Sequence, residues 1–309
     1  MMLLSELCQK CDATLLREAR VTSLGFVEIE LGGRLVFAMN SENLRRASSS
    51  PGISAILTTA ELAHSIPDTG LGIAVAADPR RAFVTLHNKL VEKGVFYGQD
   101  APSALDPTAI IHPKAHVDTH GVSIGAGCRI DAGAIVLRGT RIGGNSRVMA
   151  GAVLGSDGFQ TMRFPDAVID LKHAGGIEVG ERSVVMANAV IARAVFRQST
   201  RIGDDCRVGN GAFVSHNARI GDRTLIGHGA IVAGNSRIGD GVTLGPGAIC
   251  LDRLSVGDGA FITAGAVVTR PVSAGERVSG NFAIPHQAFL DFVKKAAAGS
   301  FSEIGRAHV

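Results

Sequence analysis

The sequence predicts a mainly β protein: a left-handed parallel β-helix of hexapeptide repeats, preceded by a small α/β domain and followed by a C-terminal helix. Three observations predict it. An aliphatic residue returns at every sixth position through Ile202, Val208, Val214, Ile220, Ile226, Val232, Ile238 and Leu244, and after Cys250 through Val256, Ile262 and Val268. The same beat runs through Ile124, Ile130, Val136, Ile142, Val148 and Leu154, and again through Val179, Val185 and Ile191. Sorted modulo eighteen, the chain forms further columns: Gly203, Gly221, Gly239 and Gly257; Gly209, Gly227 and Gly245; Asp204, Asp222, Asp240 and Asp258; Arg201, Arg219 and Arg237.

A period of six fits neither the helical 3.6 nor the strand repeat of two. Each hexad supplies one short strand and one turn, and three hexads close a triangular coil. Residues eighteen apart then stack at about 4.8 Å. Glycine directly after the inward aliphatic marks corners needing positive φ or close backbone approach.

Residues 1–104 lack this beat and read as an α/β domain. Leu35–Met39, Ile53–Leu57 and Gly72–Ala76 have strand character, Glu42–Ala47 reads as a short helix, and Pro79–Lys93 as an amphipathic one. Pro102, Ser103 and Pro107 mark a linker, and residues 105–280 form the solenoid. Between Leu154 and Val179 the beat stops, so residues 155–178 are expected to leave the scaffold as a long loop, more often functional than accidental. Residues 281–309 hold a helix over 285–298, with Phe289, Phe292 and Val293 on one face, and a loose tail, Ser300–Val309.

With 309 residues, 46% hydrophobic and 19% charged, the composition is that of a soluble globular protein. A net charge of +3 gives no argument for nucleic acid. Five cysteines form no disulfide framework, and the one CxxC, Cys8 and Cys11, lacks a second pair to complete four zinc ligands, so helix packing is expected of it. The first residues have no basic n-region or long apolar stretch, and no run reaches membrane-spanning length. A cytoplasmic protein with no integral membrane segment is expected.

The third solenoid edge departs from the other two. It reads Val214-Ser215-His216-Asn217, then Val232-Ala233-Gly234-Asn235, then Cys250-Leu251-Asp252-Arg253. His216 therefore lies one coil from Gly234, and Asn217 one coil from Asn235. An imidazole can take a proton from an attacking amine or hydroxyl, while a fixed backbone N–H holds the oxyanion that forms at an acyl carbon. That pairing is the minimum equipment for acyl transfer, although a lone histidine on a turn is usually just solvated. His112, His116 and His120 would share a helix face, but Pro113 argues against a helix, so no metal site is expected. The Arg201, Arg219 and Arg237 column runs beside the aspartate column, which points to mutual neutralisation. Arg193, Arg197, Arg223 and Arg253 have no repeating partner and are the candidates for binding an anionic donor.

With these residues in view, the chain resembles the UDP-3-O-(3-hydroxyacyl)glucosamine N-acyltransferases of the lipid A pathway. LVFAMNSENLRRA (35–47), ISAILT (53–58) and DPRRAFVTLHNKL (78–90) are similar to that family's uridine-binding domain. GSDGF (155–159), NAVIARA (188–194) and SHNARIGDRTLIGHGAIVAGNSRIG (215–239) are similar to its solenoid. The resemblance implies a cytoplasmic homotrimer with active sites between subunits, an acyl carrier protein loaded with a 3-hydroxy fatty acid as donor, and a nucleotide-sugar acceptor. It implies that His216 is the general base, Gly234 the oxyanion donor, and that Phe37 and Asn40 belong to the nucleotide pocket. Asn217, Asn235, Asp157 and Phe159 would be substrate-binding.

The chain also departs from that family. Asn43 stands at the second aromatic of the nucleotide pocket, Ala192 replaces an aspartate, and QTMRF and LKHAGG replace the family's continuation after GSDGF. The segment GAVVTRPVSAGERVSGNFAIPH (265–286) is instead similar to sugar-nucleotide acetyltransferases that use acetyl-CoA. Two alternatives therefore stay open: an acetyl-CoA-dependent acyltransferase, and a non-catalytic trimeric scaffold.

Overall fold

A computed structural model describes residues 1–29, 31–66, 70–95, 101–280 and 286–297. The aliphatic beat becomes the core of a triangular solenoid with three parallel sheets of eight, eight and nine strands. Registers advance by eighteen residues on every face: Ile220 pairs with Ile238, Val208 with Ile226, and Val214 with Val232. All of these aliphatics are buried in one continuous core. The glycine columns exist because adjacent coils approach closely. A Cβ on Gly221 would lie 2.6 Å from the carbonyl carbon of Gly239 and 2.7 Å from the amide nitrogen of Asp240.

The aspartate column closes those same corners with hydrogen bonds to backbone. Asp222 Oδ1 accepts the Asp204 N–H, Asp240 Oδ1 that of Asp222, and Asp258 Oδ1 that of Asp240, each at 2.9 Å. One oxygen of each of these carboxylates is thus committed to a neighbouring coil's amide, and Arg201, the first of the arginine column, pairs with Glu178 at 2.9 Å.

The N-terminal domain is a five-stranded sheet in the order Thr14–Arg17, Gly72–Val75, Ile53–Thr58, Arg34–Phe37, Ser23–Leu24, parallel except for the first pair. Around it lie α1 (Leu4–Cys8), α2 (Ser41–Ser49), α3 (Ala60–Ala63) and α4 (Pro79–Glu92). Three helix starts are capped from the sequence: Asn40, Thr59 and Asp78 accept the N–H of Asn43, Leu62 and Arg81, and Pro79 occupies the first turn of α4. Cys8 packs in the core of this domain and Cys11 against its edge. The C-terminal helix, α5, spans His286–Ala297. Pro285, Ala298, the side chains of Phe289 and Phe292, and the tail Ser300–Val309 lie outside the described residues.

The excursion leaves the solenoid where the coil register jumps from Leu154 to Ile191. It folds as a hairpin, Thr161–Arg163 against Val168–Asp170, and docks on α4 rather than lying open. Met162, Phe164 and Leu171 enter the N-terminal core beside Phe83 and Leu86. Arg80 and Arg81 lie over the Phe164 ring at 5.1 and 4.6 Å, and Arg81 also pairs with Asp166. Asn88 brackets the backbone, donating to Asp170 O and accepting Lys172 N–H, both at 2.9 Å. A second, shorter interruption follows Ile191, where Ile191 pairs with Val214 and Val179 with Ile202. It delivers Val195 and Phe196 to the same core, and Phe196 stacks on Phe26 and His87. These two insertions weld the N-terminal domain to the solenoid.

Candidate active site

His216 occupies the corner after the third-face strand Phe213–Val214. The turn beside it is made by Asn217, at φ 59°, a left-handed conformation that asparagine tolerates well. The Asn217 N–H donates to Thr200 Oγ1 at 2.9 Å, and its side-chain oxygen accepts Val195 N–H at 3.2 Å. Its amide group donates to Asn235 Oδ1 at 3.0 Å, and Asn235 donates onward to Asp252 at 3.4 Å. This ladder across three coils fixes the corner and turns the His216 ring inward, leaving the residue 5% exposed.

The sequence pairing of His216 with Gly234 is a contact. A Cβ on Gly234 would sit 2.5 Å from Cε1 and 2.8 Å from Nε2 of His216, and 2.9 Å from Asp252 Oδ1. Only glycine leaves the ring its place. Burial first, then His173 and Arg253, lowers the His216 pKa to about 4, so the imidazole is neutral at pH 7. Its Nδ1 is buried without a hydrogen-bond partner among the described residues.

The excursion roofs this corner with two residues that the sequence reading did not single out. Gly158 passes so close that a Cβ there would lie 3.1 Å from His216 Cδ2 and 3.2 Å from His173 Nε2. His173, also 5% exposed, stands edge-to-face on His216 with centroids 5.6 Å apart. No periodicity places a histidine within LKHAGG. The only signal was its presence in an interrupted stretch.

The other sequence candidates scatter. Asp157 lies at the excursion's start, 3.5 Å from Arg193, whose Nε donates to Gly155 O at 2.6 Å. Phe159 is 89% exposed. Arg253 sits beside Asp252 at 3.2 Å, and Arg223 lies 4.0 Å from Asp240 one corner away. Arg197 borders a separate groove with Arg141 and Arg201. Asn217, Asn235 and Arg253 come together with Phe26, Glu28 and Ile29 around a cleft of about 250 Å³ between the solenoid and the N-terminal domain. Phe37 packs against Phe26 and Phe83, at 6.2 and 5.1 Å between centroids, and Asn40 caps α2. His112, His116 and His120 turn to different neighbours: the Lys114 amide, Asp118 and Thr119. Among the described residues, no group of three or more His, Cys, Asp or Glu side chains could hold a metal, and no helix is long and apolar enough to cross a membrane.

Comparison with known proteins agrees with the repeat. The family described as bacterial transferase hexapeptide (six repeats) matches residues 199–234 and 217–252, and that described as hexapeptide repeat of succinyl-transferase matches 121–156 and 235–270. A UDP-3-O-acylglucosamine N-acyltransferase from Maricaulis maris is 32% identical over 27% of this chain and 24% of its own length. The protein of that name from Caulobacter vibrioides is 32% identical over 29% of this chain and 26% of its own. The chain thus spans about a quarter of the length of these relatives. That from Pseudomonas entomophila is 25% identical over 70% of this chain and 68% of its own. Among solved structures, a UDP-N-acetylglucosamine acyltransferase from Bacteroides fragilis aligns at 24% identity and TM-score 0.41, covering 54% of this chain and 68% of that one. One from Campylobacter jejuni aligns at 21% and 0.39, covering 57% and 71%. The chain thus carries hexapeptide repeats and is similar in sequence to the UDP-3-O-acylglucosamine N-acyltransferases.

Proposed function

We propose that the protein is an N-acyltransferase of lipid A-type lipopolysaccharide synthesis. It transfers a 3-hydroxyacyl group from acyl carrier protein to the amine of a nucleotide-linked amino sugar, as a cytoplasmic homotrimer. The observation that carries this reading is the neutral, buried His216 held against Gly234 of the next coil. The neutral amine attacks the thioester carbonyl carbon, and the carbonyl electron pair moves onto oxygen, where the Gly234 N–H receives it. His216 takes the proton that the nitrogen sheds. A base with a pKa near 4 suffices, because the nitrogen becomes strongly acidic as its bond to carbon forms. Collapse of the intermediate expels the thiolate, which recovers the proton from the imidazolium, leaving amide and thiol. In this reading the attack is direct, with no acyl-enzyme, and holding the two substrates together supplies much of the rate.

Two further features support the reading. The cleft between Asn217, Asn235, Arg253 and the Phe26–Ile29 segment includes Asn217, the residue after His216, and its arginines and amides, set against the single acid Glu28, suit an anionic, hydroxylated ligand. The outward side of the His216 face is an apolar stripe, Ile135, Val153, Val190, Phe213, Ile231 and Ile249, continued by Val267. Such a stripe fits burial against further copies of the chain, which would bring a neighbouring subunit to the His216 corner.

An acetyl-CoA-dependent reaction on another nucleotide sugar is favoured by one observation: Phe37 is engaged in ring packing and Asn40 in capping α2, the two residues the first reading assigns to its nucleotide pocket. Calorimetric titration with 3-hydroxyacyl carrier protein and separately with acetyl-CoA, each with a UDP-linked amino sugar present, tests both. Binding of the carrier protein alone supports the first. Binding of acetyl-CoA alone replaces it with the second, and binding of neither leaves the scaffold reading.

A further inference from the structure

The reaction above uses one of two imidazoles buried at this corner. His173 arrives from the excursion, in a segment with no repeat to dictate it, and meets His216 edge-on. Its tautomer is fixed by its partners. Nδ1 lies 3.1 Å from the Leu171 carbonyl, which can only accept, so Nδ1 carries the hydrogen. Nε2 is then a lone pair, and it accepts the Gly158 N–H at 3.1 Å. With both nitrogens committed, His173 is not placed to exchange protons with His216. It fastens the strand that closes over it.

We propose that His173 is a positioning residue for His216: by holding Gly158 N–H and packing its own ring edge-to-face, it keeps the excursion shut over His216 and the imidazole dry and in one orientation. The proposal rests on reading His216 as the base.

The geometry makes this fastening specific. Gly158 lies against the edges of both rings, where a side chain would be tight: a Cβ would stand 3.1 Å from His216 Cδ2 and 3.2 Å from His173 Nε2. The excursion is anchored just before His173 by α4, where His87 Nε2 donates to Lys172 O at 2.7 Å and Asn88 brackets the neighbouring backbone. Protonating His173 would set two N–H groups against each other at Gly158. The groups around the pair offset one another: Asp157 and Arg193 face His173 as an ion pair, His87 adjoins from α4, and Asp252 and Arg253 lie on the far side of His216. Burial is the largest cause of the lowered pKa of both rings, so an excursion that lifts would readmit water and let His216 titrate in its ordinary range.

The test is the titration of His216 in the full chain, read by NMR of its labelled ring and assigned with His216→Gln, in the wild type and in His173→Leu and His173→Gln. Leucine fills the space without either hydrogen bond, whereas glutamine can accept from Gly158 and donate to Leu171. In the leucine variant the His216 midpoint should rise from about 4 toward 6.5, while the glutamine variant stays low. The acid limb of kcat/KM should move with it, costing about tenfold at a pH one unit below the new midpoint. His173→Ala carries the same expectation should the leucine variant fail to fold. An unmoved midpoint in the leucine or alanine variant, or one that rises equally with glutamine, overturns the proposal. A midpoint that rises while the activity profile stays put upholds the fastening but removes His216 as base, so the two failures are distinguishable.

Discussion

Two corners of one solenoid, met by the same chain every eighteen residues, behave differently. At the aspartate corner the column closes on the neighbouring coil: Oδ1 of Asp222, Asp240 and Asp258 each takes an amide at 2.9 Å, and the glycines are required by backbone packed against them. At the His216 corner the asparagine ladder closes in the same way, but the histidine does not. Its Nδ1 is buried with no partner among the described residues, and its glycine makes room for a side chain rather than for backbone. An unsatisfied buried nitrogen costs about 1–3 kcal/mol. The coil gains nothing from it, which separates a polar column that builds the scaffold from one that spends stability on chemistry.

The largest expected effect breaks the second corner alone. His216→Ala should lower turnover on the order of a hundredfold or more, while the elution volume in size-exclusion chromatography stays that of the wild type and the melting temperature is unchanged or higher. Retained turnover would remove His216 from the reaction. A collapse of the assembly would show that its corner is structural after all, like that of the aspartates.

Acid sharpens the same contrast. His87 and His216 have folded-state pKa values of about 4 and that of His173 is lowered, against an ordinary 6.5, with burial the first cause in each. Above 6.5 both folded and unfolded chains carry these rings neutral, and stability is independent of them. Between 6.5 and about 4 the unfolded chain takes up protons that the folded chain refuses, so stability falls as pH drops through this window and levels off below it. From pH 7 to 5 the loss is about 2 kcal/mol for each fully shifted histidine. Urea unfolding at the two pH values should give a markedly shallower dependence in His216→Gln. An identical slope would mean that His216 titrates alike in both states.

The regular part of this architecture was legible because a coil returns residues to the same environment every eighteen positions. The inward aliphatics, the glycine and aspartate corners and the His216–Gly234 pairing all follow from that arithmetic. The backbone hydrogen bonds of the aspartates were not legible, since a column of carboxylates beside a column of arginines shows only its charge until the corner's close backbone approach is known. Nor was His173, because the excursion follows no period and its path is set by Phe164, Leu171 and Lys172 docking on α4. The short insertion holding Val195 and Phe196 did leave a trace: eleven residues separate Ile191 from Ile202 where the beat demands six. In the N-terminal domain, Asn40 precedes a helix in a sequence suited to capping, and capping is what it does.

The smallest effect tests the first corner. Asp222→Ala removes the acceptor for Asp204 N–H but leaves its own amide bonded to Asp240, so one hydrogen bond is lost from a ladder that otherwise stays closed. The cost should be about 1 kcal/mol in unfolding free energy, because the freed amide sits at a partly exposed corner where water can reach it. Turnover should be unchanged, since the aspartate and His216 columns lie on different edges of the triangle and share no hydrogen bond. Reduced turnover in this variant, with stability nearly intact, would mean that the two corners are mechanically coupled through the coil. The division between a building edge and a reacting edge would then have to be drawn elsewhere.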